Sequence, residues 1–137
     1  MVNWVKMQPV SVKSPQYRYR NKIGIVGENF ALSYLRKQHF RILERNFKAR
    51  YGEIDIIAQD GHTVVFVEVK TRSSTAYGTP EEAITAKKLH EVILTSQYYL
   101  HRHPERASDW RIDVIAILLD PLTYSPSSLR HIPNVTL

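Results

Sequence analysis

Gly52-Glu53-Ile54-Asp55-Ile56-Ile57-Ala58-Gln59-Asp60-Gly61-His62-Thr63-Val64-Val65-Phe66-Val67-Glu68-Val69-Lys70 is the stretch that decides the fold. Two runs rich in Ile and Val flank Asp60-Gly61, and Asp-Gly between alternating apolar residues signals a two-residue hairpin turn. That turn predicts Glu53 opposite Glu68, Asp55 opposite Phe66 and Tyr51 opposite Lys70. The period of two then gathers Glu53, Asp55, Ile57, Val64, Phe66, Glu68 and Lys70 on one face, and Ile54, Ile56, Val65, Val67 and Val69 on the other.

The second face is pure core, whereas the first ends in three carboxylates and an ammonium. Opposed glutamates repel, at a cost of a few tenths to about 1 kcal/mol, unless a cation lies between them. Oxygen ligands without cysteine point to Mg²⁺ or Mn²⁺ rather than zinc. A lysine beside such an ion can orient water or stabilise charge developing on phosphate, which is the chemistry of phosphodiester hydrolysis. A lone Glu-x-Lys most often just solvates a half-exposed strand; Asp55 on the same predicted face is what changes the reading.

Asp55 followed by Glu68-Val69-Lys70 on the next strand resembles the PD-(D/E)xK signature of restriction-endonuclease-like nucleases, with Ile54 in place of the proline. Gly24-Ile25-Val26-Gly27-Glu28, Arg45-Asn46, Gly52-Glu53-Ile54-Asp55, Val65 to Arg72 and His131-Ile132 together resemble the YraN-like family of small bacterial proteins. That family is regarded as a distant relative of archaeal Holliday-junction resolvases. The resemblance implies an α/β restriction-endonuclease-like fold, a mixed central β-sheet flanked by helices. It implies Asp55 and Glu68 as metal ligands with the Val69 peptide oxygen, Lys70 orienting the attacking water, Glu28 as a fourth acidic member and Glu53 in support. It also implies a homodimer, because a four-way junction needs two symmetric cuts.

The composition fits this reading. The chain has 137 residues, 43% of them hydrophobic, which is enough for one domain with its own core, and no cysteine. Residues 21–137 are expected to form that domain, with residues 1–20 as a basic, flexible arm. No apolar run approaches a signal peptide or a membrane span, so a soluble, cytoplasmic protein without membrane contact is expected. Net charge is +6, yet residues 1–50 hold eleven Lys and Arg against only Glu28 and Glu44. Such a frame can track a DNA backbone around an acidic centre, Arg45 and Arg50 included; it can equally be a solvated surface.

Ile23, Val26, Phe30, Ala31, Tyr34 and Leu35 recur at helical spacing and predict a helix from about Gly24 to Gln38. Gly24 and Gly27 would let it approach the sheet closely, and Glu28 lies on its flank. Phe40–Phe47 reads as a strand ahead of the hairpin. Thr71–Gly78 reads as a loop beside the site, with Arg72 as a phosphate contact and Tyr77 as a base-stacking side chain. Thr79-Pro80-Glu81-Glu82 is a capping box that starts a second helix, broken near Thr85, in which the resemblance singles out Lys88 for nucleic acid. His101 and His103, two apart and without a third ligand, make no zinc site. Trp110–Leu119 reads as a buried strand parallel to a neighbour, and Pro121–Ser128 as a loop. Two functions follow: a metal-dependent endonuclease acting on branched or structured DNA, or a binding module of the same fold that does not cut.

Overall fold

The computed structural model describes residues 15–73, 84–106 and 108–135. Helix α1 (Pro15–Lys37) leads into strands β1 (Arg41–Ala49), β2 (Gly52–Asp60) and β3 (Thr63–Arg72). Helix α2 (Ala86–Arg102) and a short 3-10 turn (Pro104–Arg106) precede β4 (Trp110–Leu119) and β5 (Pro126–Ile132). The strands form one sheet in the order β1-β2-β3-β4-β5. Only β3 and β4 run parallel, from Val64↔Trp110 to Arg72↔Leu118; the other neighbours are antiparallel. This is the mixed five-stranded α/β sheet expected of the restriction-endonuclease-like fold. Parallel neighbours need a crossover, and α2 supplies it.

The two helices cover opposite faces. Ile23, Ala31, Leu32 and Leu35 of α1 pack on Ile56, Ala58, Val65, Val67, Ile115, Ile117 and Leu119. Val92, Tyr99 and Leu100 of α2 pack on Ile54, Ile57, Val64, Phe66 and Ile112. Continuous burial from Ile112 to Ile117 is why β4 reads as a nearly continuous apolar run from Val114.

The structure corrects the sequence expectations at several points. The hairpin turns at Gly61-His62 rather than Asp60-Gly61, with Asp60 paired to Thr63 and Ile57 to Phe66. Gly61 takes φ 63 at the first loop position, the place glycine holds in type II′ turns. The register therefore moves by two residues and Glu53 no longer faces Glu68; its partner is Lys48 on β1. Alternation also breaks in β2, because Ile54 packs with Ile57 under α2 while Ile56 packs under α1. Pairing of β2 with β3 stops at Ile56↔Val67, and Asn46 on β1 takes the left-handed conformation at φ 51. Free of the ladder, Asp55 turns toward α1.

Other differences concern element ends. Helix α1 begins at Pro15, within the expected arm, since proline's fixed φ suits a first helical turn. The basic, polar residues after it hid this start, having no apolar period. Thr71 and Arg72 extend β3 instead of opening a loop. Helix α2 starts after Thr85, whose Oγ1 accepts the Lys88 N–H at 3.0 Å. Strand β5 was hidden by Pro126 and its serines, a composition tolerated on an edge. Residues 1–14, Tyr77 and the Thr79–Glu82 capping box lie outside the described residues.

Gly27 brings α1 onto the site end of β3, and a Cβ there would overlap Oγ1, Cγ2 and Cβ of Thr71. Gly24 makes no such approach. Helix propensity alone predicts that Gly27→Ala stabilises the protein by about 1 kcal/mol. The overlap predicts the opposite sign, a loss of roughly 1–3 kcal/mol in urea unfolding, partly restored by adding Thr71→Ala.

Candidate active site

The predicted residues converge where β2 leaves β3. Asp55 Oδ2 accepts the Val69 N–H at 2.8 Å, replacing the ladder bond that the diverging strands no longer make. Asp55, Glu28, Arg45, Asn46, Glu53 and Val69 line a cleft of about 330 Å³ beneath α1. Glu28 is fixed from β1: Asn46 Nδ2 donates to its Oε1 at 3.1 Å and Arg45 Nη2 lies 3.5 Å away. Arg45 also donates to Asn29 at 3.2 Å. Glu53 lines the same cleft but is exposed.

Glu68 stands on the other side of β3, 5% exposed. Its Oε1 meets Lys70 Nζ at 3.3 Å and Lys88 Nζ at 3.7 Å, the latter carried in by the capped first turn of α2. Its Oε2 is buried without a hydrogen-bond partner among the described residues. Asp55 connects the two groups. Burial and then the Glu68 charge push its carboxyl up to about 7, against the pull of the Val69 N–H; Glu28 adds to the rise and Lys88 opposes it. A buried Asp55 carboxyl held up to about 7, near a Glu68 oxygen that has no partner among the described residues, fits a cation of the hard, oxygen-binding kind.

The structure thus brings together Glu28, Glu53, Asp55 and Val69 in the cleft, and Glu68, Lys70 and Lys88 beside it. Arg45 holds Glu28 rather than standing free. Arg50 at the β1–β2 tip and Arg72 at the end of β3 are exposed. Among the described residues, no three metal-ligating side chains gather in one group. Asn46 is the site residue that sequence reasoning had only as part of a resemblance. A polar residue able to take positive φ, placed in an otherwise ordinary strand, was its one local signal.

Away from this site, Arg111, Asp113, His131 and Asn134 form a second polar cluster. Asp113, fully buried, accepts from Arg111 Nε at 3.0 Å, from the Asn134 N–H at 3.0 Å and from His131 Nε2 at 2.7 Å. Tyr34 Oη lies 2.9 Å from His131 Nδ1. One neutral tautomer satisfies both contacts, with Nε2–H donating to Asp113 and Nδ1 accepting from Tyr34. Burial and the Asp113 charge hold the Tyr34 phenol up, so it remains a donor.

Comparison with known proteins agrees with the motifs. The model of a family described as "Uncharacterised protein family UPF0102" matches residues 27–117. A UPF0102 protein of Persephonella marina is 50% identical over 95 residues, covering 69% of this chain and 82% of its own. UPF0102 proteins of Syntrophomonas wolfei and Alkaliphilus oremlandii are 42% and 46% identical, each across 82% of this chain and 96% of the relative. The YraN-like resemblance and these matches coincide: the chain belongs to the UPF0102 family.

Proposed function

We propose that the protein is a metal-dependent endonuclease that hydrolyses phosphodiester bonds in branched or structured DNA. The observation that carries this reading is the Asp55–Glu68 pair, with Asp55 pushed up to about 7 and Glu68 Oε2 buried without a partner among the described residues, next to the Lys70 ammonium. Asp55 and Glu68, with the Val69 peptide oxygen, would hold Mg²⁺ or Mn²⁺. A divalent ion there supplies Lewis-acid polarisation of a phosphate oxygen.

The remaining work falls to the chain itself. Lys70, paired with Glu68 at 3.3 Å, orients the attacking water and faces the charge that develops on phosphate. Glu28, fixed by Asn46 and Arg45, accepts hydrogen bonds from water entering the cleft. Glu53 adds negative charge at the cleft's outer edge. Arg50, Arg72 and Lys88 offer positive charge to a DNA backbone.

A second reading, a binding module that does not cut, is favoured by one observation: Lys70 and Lys88 both already neutralise Glu68 Oε1. Cleavage decides between them. Labelled four-way junction, flap, single-stranded and linear duplex DNA are incubated with Mg²⁺ or Mn²⁺ and either wild type or Glu68→Ala. The nuclease reading expects cutting by wild type alone. Salt-sensitive binding without cutting by either protein selects the module, and equal cutting by both removes Glu68 from the chemistry.

A further inference from the structure

The β1–β2 turn consists of Arg50-Tyr51, since the ladder closes at Ala49↔Gly52. Two-residue turns ordinarily carry Gly, Asn or Asp, because one or both positions need positive φ. Here that demand falls on Gly52, at φ 145, which leaves both loop positions open to ordinary side chains. Turn chemistry does not call for a tyrosine in such a place, and core packing does not either, because Tyr51 is 47% exposed.

The surroundings of Tyr51 match a nucleic acid. Its ring meets the Arg50 guanidinium at 5.8 Å, and Lys48 is exposed on the adjoining strand end. A Cβ on Gly52 would lie in ordinary contact with Glu91 and Thr95 of α2, so the root of the turn is close to that helix, while Arg50 and Tyr51 at its tip are exposed. Asp55 lies four residues along β2 from Tyr51. At about 3.3 Å per residue this is roughly 13 Å, or about four stacked bases at 3.4 Å each.

We infer that Tyr51 stacks on an unpaired base of the strand whose phosphate reaches Asp55 and Glu68, with Lys48 and Arg50 on the flanking phosphates. The inference rests on the nuclease or DNA-binding reading above and adds a substrate class: DNA with a base unpaired within about four nucleotides of the site. Continuous duplex offers no free base face, so the tip contributes to branched DNA and not to linear duplex.

The test uses a flap junction carrying an unpaired 2-aminopurine at the branch point and linear duplex of equal length, both in Ca²⁺ buffer. Wild type is compared with Tyr51→Ala and Tyr51→Phe, the phenylalanine variant retaining a stacking face. Wild type and Tyr51→Phe should quench the 2-aminopurine and bind the junction equally. Tyr51→Ala should lose the quenching and about tenfold in junction affinity, with duplex affinity unchanged. Tyr51→Ala that quenches and binds like wild type overturns the inference, and so does an equal loss on junction and duplex. In either of those cases wild type still binds DNA and the reading of the site stands. Wild type that binds neither DNA overturns both.

Discussion

An Asp55→Asn variant should be more stable than wild type near pH 8 in EDTA, by about 2–4 kcal/mol, and should not cleave DNA. The stability difference follows from where Asp55 releases its proton. In the unfolded chain it does so near 3.8, in the folded protein at about 7, because burial and Glu68 disfavour its charge. Between those values the folded state holds the extra proton. Wild-type stability therefore falls as pH rises through this window, and the full penalty remains above it. The asparagine amide is neutral throughout, and its oxygen still accepts the Val69 N–H. Urea unfolding near pH 4, 6 and 8 should show the two proteins equal at the acid end and diverging toward the alkaline one.

Mg²⁺ gives a second readout of the same pair. A ligand that binds only the folded state raises the unfolding midpoint, so Mg²⁺ near pH 8 should stabilise wild type and leave Asp55→Asn nearly unmoved. Identical pH profiles would contradict the account of burial and repulsion at Asp55. A variant that still cleaves would remove Asp55 from the reaction. Higher stability with lost activity is what a site built from strained charge predicts.

Much of this arrangement was legible in residues 52–70, and the reasons separate what could be read from what could not. Alternation of Ile and Val fixes two strands and their hydrophobic faces wherever the ladder is intact, as it is from Ile56 to Asp60. It fails at Asp55, where the strands part and Ile54 crosses to the α2 side. Period two presumes a continuous ladder, and the candidate site exists because the ladder stops. The turn was misplaced by one residue because Asp-Gly and Gly-His both offer a glycine, and only the backbone decides which loop position it fills. Strand β5 and the early start of α1 carry no apolar period and draw their order from packing and from Pro15. The cluster around Asp113 was visible only as separate fragments. Its members are up to 97 residues apart in the chain, from Tyr34 to His131, so no local pattern joins them.

That cluster makes the other large prediction. Asp113→Ala should destabilise the protein by roughly 3–5 kcal/mol at neutral pH, the range found when one partner of a buried ionic network is removed. The carboxylate is fully buried and joins three elements: β4 through Arg111, β5 through His131, and, by way of His131, the Tyr34 hydroxyl of α1. It also holds the Asn134 N–H, next to the Val135 N–H that bonds Ile112 O at 2.8 Å. Removing it strands an imidazole N–H and a backbone N–H together and leaves the Arg111 guanidinium with Asp60 at 3.4 Å. Asp113→Asn keeps the shape but not the charge and should cost less. These hydrogen bonds, from His131 first, hold the Asp113 carboxyl below the ordinary carboxylate range despite its burial. Its contribution is thus complete above about pH 4 and is lost as pH falls through the lowered value, so wild type and variant should converge in strong acid. Hydrogen exchange separates this role from general loosening. In Asp113→Ala the β5 amides paired to β4 should lose protection before those of the β2–β3 hairpin, which meets the network at its turn through the exposed Arg111–Asp60 pair. Uniform loss across both would mean that Asp113 supports the whole sheet rather than the attachment of its last strand.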